Sequence, residues 1–90
     1  MNLRIFGGKD CEVCSKLTEN LTAMSVNFLF VDAWAENTQD LCDENDVTDL
    51  PHIQVLSSDG KVLWQDVGDV SLTKILRHLK ANEKSPPNNV

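Results

Sequence analysis

The sequence predicts an α/β domain of order β-α-β-α-β-β-α, a mixed four-stranded sheet with flanking helices. Three observations carry this expectation. Two apolar, strand-like runs at residues 3–6 and 26–31 enclose one helical stripe, so a crossover joins them and they should lie parallel. Two later runs, 53–55 and 62–64, are joined by Ser58-Asp59-Gly60, a tight turn that makes them antiparallel. A final amphipathic stretch begins at Ser71.

Leu3 to Phe6 reads as a short apolar strand ended by Gly7-Gly8. From Cys11 to about Met24, Val13, Leu17, Leu21 and Met24 recur at spacings of four, four and three, one face of a helix. Asp10 stands where a carboxylate could cap that helix. Val26 to Val31 is almost wholly apolar and rich in β-branched and aromatic types, as in a strand covered on both faces. Glu36 to Asp46 is polar and acidic and reads as a short helix. Ile53-Gln54-Val55 alternates as a strand should, and Val62-Leu63-Trp64 is its return partner. Ser71 caps a helix whose Leu72, Ile75, Leu76 and Leu79 fall at i, i+3, i+4 and i+7. The domain is expected over residues 1–82, with a flexible tail over 83–90 carrying Pro86 and Pro87.

Ninety residues allow one small domain, and 41% apolar with 24% charged residues is a globular composition. The net charge of −6 argues against nucleic acid and against an anionic membrane surface, both of which need clustered Lys and Arg. The longest apolar run, Val26 to Trp34, falls far short of the ~20 residues of a spanning helix. Met1 to Asp10 does not resemble a secretory leader, so a cytoplasmic location with reduced thiols is expected. A monomer is expected.

The chemistry concentrates in Gly7-Gly8-Lys9-Asp10-Cys11-Glu12-Val13-Cys14. Two cysteines three apart sit at the junction of a predicted strand and a predicted helix. Free N–H groups and the helix dipole favour negative charge there, which raises the thiolate fraction of the first cysteine. A thiolate is the species that attacks a disulfide. Cys11 is therefore the candidate nucleophile. Cys14, one turn on, is the candidate resolving thiol. Asp10 and Glu12 oppose the thiolate and Lys9 offsets them; if the acids prevail, the pair leans towards the reducing end.

These residues resemble the thioredoxin-fold oxidoreductases in their small, glutaredoxin-sized form. Cys11-Glu12-Val13-Cys14 follows the first strand as in that family. Val47 to Val55, with Leu50-Pro51 inside it, is similar to the loop holding the family's cis-proline. Asp59-Gly60-Lys61-Val62 through Val67-Gly68 is similar to its hairpin and trailing glycine. The resemblance implies a thioredoxin-like fold and a protein-disulfide oxidoreductase. It implies that Leu50 offers its backbone to a substrate strand and that Pro51 faces the thiols. The electron donor it implies is a reductase or glutathione, and no bound cofactor is implied. A glutathione-dependent, glutaredoxin-like activity is the alternative, with Lys9, Leu50, Gly68 and Asp69 as the implied binding residues. The chain departs from the family in lacking an aromatic before Cys11, in its Glu12-Val13 dipeptide and in having no acid on the first strand.

Two non-catalytic readings stand beside these. One is a zinc module built from Cys11, Cys14, Cys42 and His52. The other is a binding domain that adds a partner strand at Leu50-Pro51 without turnover. Of the remaining residues, Cys42 reads as a small buried hydrophobe, His52 as a strand-start residue partly facing solvent, and His78 as surface. Trp34 and Trp64 read as core or rim packing. The acids from Glu36 to Asp49 read as a solvated face, since no EF-hand spacing is present for calcium.

Overall fold

The computed structural model describes residues 2–83. The tail expected over 83–90 lies outside them from residue 84 onward. The strands are β1 (Asn2–Gly7), β2 (Leu29–Asp32), β3 (His52–Leu56) and β4 (Val62–Val67); the helices are α1 (Glu12–Ala23), α2 (Gln39–Glu44) and α3 (Leu72–Glu83). A 3₁₀ turn at Glu36–Thr38 leads into α2. The order is the expected one. The sheet runs β2-β1-β3-β4, with β1 parallel to β2 and antiparallel to β3, and β3 antiparallel to β4. No helix among the described residues is long and apolar enough to cross a membrane.

Strand alternation divides the sheet into two different faces. Leu3 and Ile5 of β1 and Ile53 and Val55 of β3 point to one side. There they pack with Leu17 and Leu21 of α1 and Ile75 of α3 into the hydrophobic core. Each such side chain contributes about 1.5–3 kcal/mol on burial. On the other face Arg4, His52, Gln54 and Gln65 meet the end of α2 in a polar network. Arg4 Nε and Nη2 donate to Gln54 Oε1 at 2.9 and 2.7 Å. Gln54 Nε2 donates to Asn45 Oδ1 at 3.0 Å and to Gln65 Oε1 at 3.1 Å. Asn45 Nδ2 ties this cluster to α2 by donating to Leu41 O at 2.9 Å. Burial lowers the pKa of the Arg4 guanidinium; it remains charged, 5.2 Å from the Phe6 ring centre.

Several expectations are corrected. The helix cap is Cys11, not Asp10, because Lys9 and Asp10 are used in the preceding turn. The buried stripe of α1 is Cys14, Leu17 and Leu21, whereas Val13 and Met24 lie on its exposed flank. The second strand is not covered on both faces. It forms the sheet edge, and Leu29 and Phe30 are about half exposed. His52 is buried, not partly solvent-facing. It packs edge-on to Phe6, and its Nε2 lies 2.9 Å from Gln65 Oε1. An amide oxygen only accepts, so Nε2 carries the hydrogen; the buried Nδ1 has no partner among the described residues. His78 is half-buried, its ring stacked on Trp64 at 4.2 Å. Trp64 is rim packing as expected, but Trp34 is 66% exposed.

The other local signals hold. Gly60 takes φ 90° in the turn between β3 and β4. Ser71 Oγ accepts the Lys74 N–H at 3.2 Å at the start of α3. Lys74 Nζ donates to Asp66 at 2.9 Å, clamping α3 to β4, and with the Val67 N–H holds that carboxyl below its ordinary range. Cys42 is buried and free.

Candidate active site

Cys11 is half-buried and Cys14 is 2% exposed, and a disulfide joins them with Cα atoms 5.2 Å apart. Cys11 leaves β1 through a short turn in which its N–H donates to Gly8 O at 3.2 Å. Its extended backbone, φ −105° and ψ 104°, is that of a residue just outside a helix. Its sulfur takes the role usually given to a capping oxygen, accepting the Cys14 N–H at 3.1 Å. That places Sγ on the positive end of a 12-residue helix, against an N–H that has no partner within the helix. With the disulfide reduced, the same N–H would be placed to donate to a sulfur anion on Cys11. Cys14 faces inward. A Cβ on Gly7 would come within 3.2 Å of Cys14 Cβ and 2.8 Å of Phe30 Cε1, so a larger residue there would push on α1 and displace the Phe30 ring.

The implied binding residues are spread around the disulfide. The Leu50-Pro51 bond is cis, Leu50 is half-buried and Pro51 is fully buried. Gly68, at φ 90°, donates its N–H to Pro51 O at 2.9 Å, which brings these two residues together. Lys9 and Asp69 are exposed. Three separate depressions divide the set. Gly68 and Asp69 line one of about 560 Å³ together with Glu12, Val13 and Glu19 of α1. Lys9 lines a small one of about 170 Å³ that reaches Cys14 between Phe30 and Asp32. Leu50 lines a third, of about 300 Å³, with Trp34 and Asp43. The zinc set does not assemble: among the described residues no three of His, Cys, Asp and Glu gather to hold a metal.

Asp32 and Trp34 were not among the sequence candidates. A signal for them was present, because they stand at the carboxyl end of a strand parallel to the one that feeds Cys11. Sites in α/β sheets form outside the carboxyl ends of such strands.

No protein-family model matches the chain, and no curated protein sequence does. Solved structures do. Spinach chloroplast thioredoxin f superposes with a TM-score of 0.78 at 20% identity, covering 91% of this chain and 69% of that one. Thioredoxin 1 of Thermosipho africanus superposes at 0.70 and 15% identity, over 93% of this chain and all of that one. A thioredoxin f2 in complex with ferredoxin:thioredoxin reductase superposes at 0.76 and 17% identity, over 91% and 76%. This chain has the thioredoxin fold, with a Cys11–Cys14 disulfide at the head of its first helix.

Proposed function

We propose that the protein is a dithiol–disulfide oxidoreductase acting on protein disulfides. The observation that carries this reading is the asymmetry of the two sulfurs. One caps a helix at the surface; the other is shielded one turn away. In the reduced protein the Cys11 thiolate attacks a substrate disulfide. A bond forms from Cys11 Sγ to one substrate sulfur, and the other substrate sulfur leaves as a thiolate. Cys14 then loses its proton and attacks Cys11 Sγ. The second substrate sulfur leaves, and the Cys11–Cys14 disulfide closes. Two electrons have passed to the substrate, and an external donor must restore the dithiol.

A reductase is the favoured donor, by likeness to the thioredoxin f2 whose structure is a complex with one. Glutathione is the less favoured co-substrate. Gly68 and Asp69 share their depression with Glu12 and Glu19; these three acids outnumber its one cation, Lys16, and disfavour an anionic tripeptide, and Lys9 lines a different depression. Strand addition at Leu50-Pro51 serves substrate docking in this reading.

Insulin-disulfide reduction with dithiothreitol as donor tests the proposal. The wild type should accelerate precipitation of the insulin B chain, and Cys11→Ser should fall to the uncatalysed rate. Equal rates for the two would overturn it.

A further inference from the structure

The depression between Trp34 and Leu50 has a built aromatic wall. The Asp32 carboxylate accepts the Trp34 N–H at 2.9 Å, and Ala33 donates its N–H to Gly7 O at 2.8 Å. These backbone bonds set the path of the chain at Trp34, and the indole lies against Gly8, where a Cβ would overlap it. Gly8 O in turn accepts the Cys11 N–H, so the indole rests on the loop that carries the nucleophile. The indole is nevertheless 66% exposed. A large aromatic seated on the loop that leads to Cys11 yet open to solvent is a surface for something else to cover. The depression continues past Val47 and Thr48 to Leu50, the residue before the cis-proline.

Among the described residues, the only charged side chain lining it is acidic, and Lys9 lines a different depression. Residues 17–60 contain no Lys or Arg. Asp40, Asp43 and Glu44 of α2 and Asp46 and Asp49 beyond it are all exposed. None of them forms a salt bridge among the described residues, where the one such pair is Lys74–Asp66. Asp43 itself lines the depression. An exposed indole attracts a cation to its face, and a carboxylate on the same wall adds a hydrogen-bonded ion pair. An acidic side chain meets repulsion there.

We propose that the Trp34–Leu50 depression is a specificity site for a basic side chain, arginine or lysine, flanking the reactive cysteine of a protein disulfide. The proposal rests on the oxidoreductase reading and names the substrate class for it. Arginine suits the site better than lysine, because its planar guanidinium can stack on the indole while hydrogen-bonding the carboxylate.

Two disulfide-linked peptides that differ only in carrying Arg or Glu beside the cysteine test it, each assayed with the dithiol protein. The expected kcat/KM ratio is roughly tenfold or more in favour of the Arg peptide at low salt, shrinking as ionic strength rises. Trp34→Ala and Asp43→Asn should each lower the ratio by roughly three- to tenfold. Asp43→Lys should lower it further. A wild-type ratio near one, or a ratio untouched by all three substitutions, overturns the proposal. Exchange with a small uncharged disulfide is measured alongside, and its absence is a failure of the oxidoreductase reading. The site is then decided by fluorescence anisotropy of dye-labelled peptides with serine in place of cysteine. Saturable binding of the Arg form, weakened in Trp34→Ala, upholds it, and no binding overturns it.

Discussion

Replacing Cys14 with serine is expected to stall the exchange half-way, leaving Cys11 covalently joined to its substrate. The first attack needs only the Cys11 sulfur, which keeps its place at the helix cap because the bond it accepts comes from the backbone N–H of residue 14. The second attack needs a sulfur one turn away, and serine supplies none. An intramolecular thiol held in place acts at an effective concentration far above any millimolar thiol in solution, so steady-state turnover should fall by at least about a hundredfold. Non-reducing electrophoresis and intact-mass measurement should show a complex of protein plus one substrate chain, dissolved by dithiothreitol. The double variant Cys11→Ser/Cys14→Ser should form none. A single Cys14→Ser variant that turns over at the wild-type rate would show that Cys14 is not the resolving thiol.

The largest expected loss of stability comes from a residue far from the sulfurs. Gln54→Leu fits a fully buried strand position, but it removes the Oε1 that accepts two bonds from Arg4 and the Nε2 that donates to Asn45 and Gln65. A partly buried guanidinium left with only its long 3.4 Å bond to Asn45 Oδ1 costs more than the bonds lost, about 2–4 kcal/mol in total. At roughly 4–8 °C per kcal/mol for a domain of this size, Tm should drop by on the order of 10–25 °C. Adding Arg4→Met should recover part of the loss, because the stranded charge goes with it. Thermal and urea unfolding followed by circular dichroism would read both effects. No recovery in the double variant would mean that Arg4 gains nothing from Gln54.

Gln54 also marks where the sequence stops being legible. Its neighbours Ile53 and Val55 announce a strand by alternation, but alternation does not say what covers the intervening side chain. Here the end of α2 does, through Asn45, and an apolar-pattern reading has no term for a polar group satisfied by partners 9, 11 and 50 positions away. His52 belongs to the same blind spot: its burial follows from register, opposite Phe6 and Val67. The element order was legible because local chemistry marks each boundary. Gly60 makes a turn, Ser71 caps a helix, and an apolar run too long for a turn separates each pair. The run at 26–31 misled because composition reports how apolar a strand is, not whether it has a neighbour on both sides. The Cys11–Cys14 pair was readable from its spacing together with its place between a strand and a helix. Trp34 was not, since its meaning depends on Gly8 lying beneath it, 26 residues earlier in the chain.

The bare rim of the sheet at β2 has a practical consequence. Its outer peptide groups have no strand beside them, and Leu29 and Phe30 stand half in water. Mutual repulsion between molecules carrying −6 each is what keeps such rims from stacking. Near pH 4.6 that repulsion vanishes, so concentrated solutions should precipitate as the pH approaches that value.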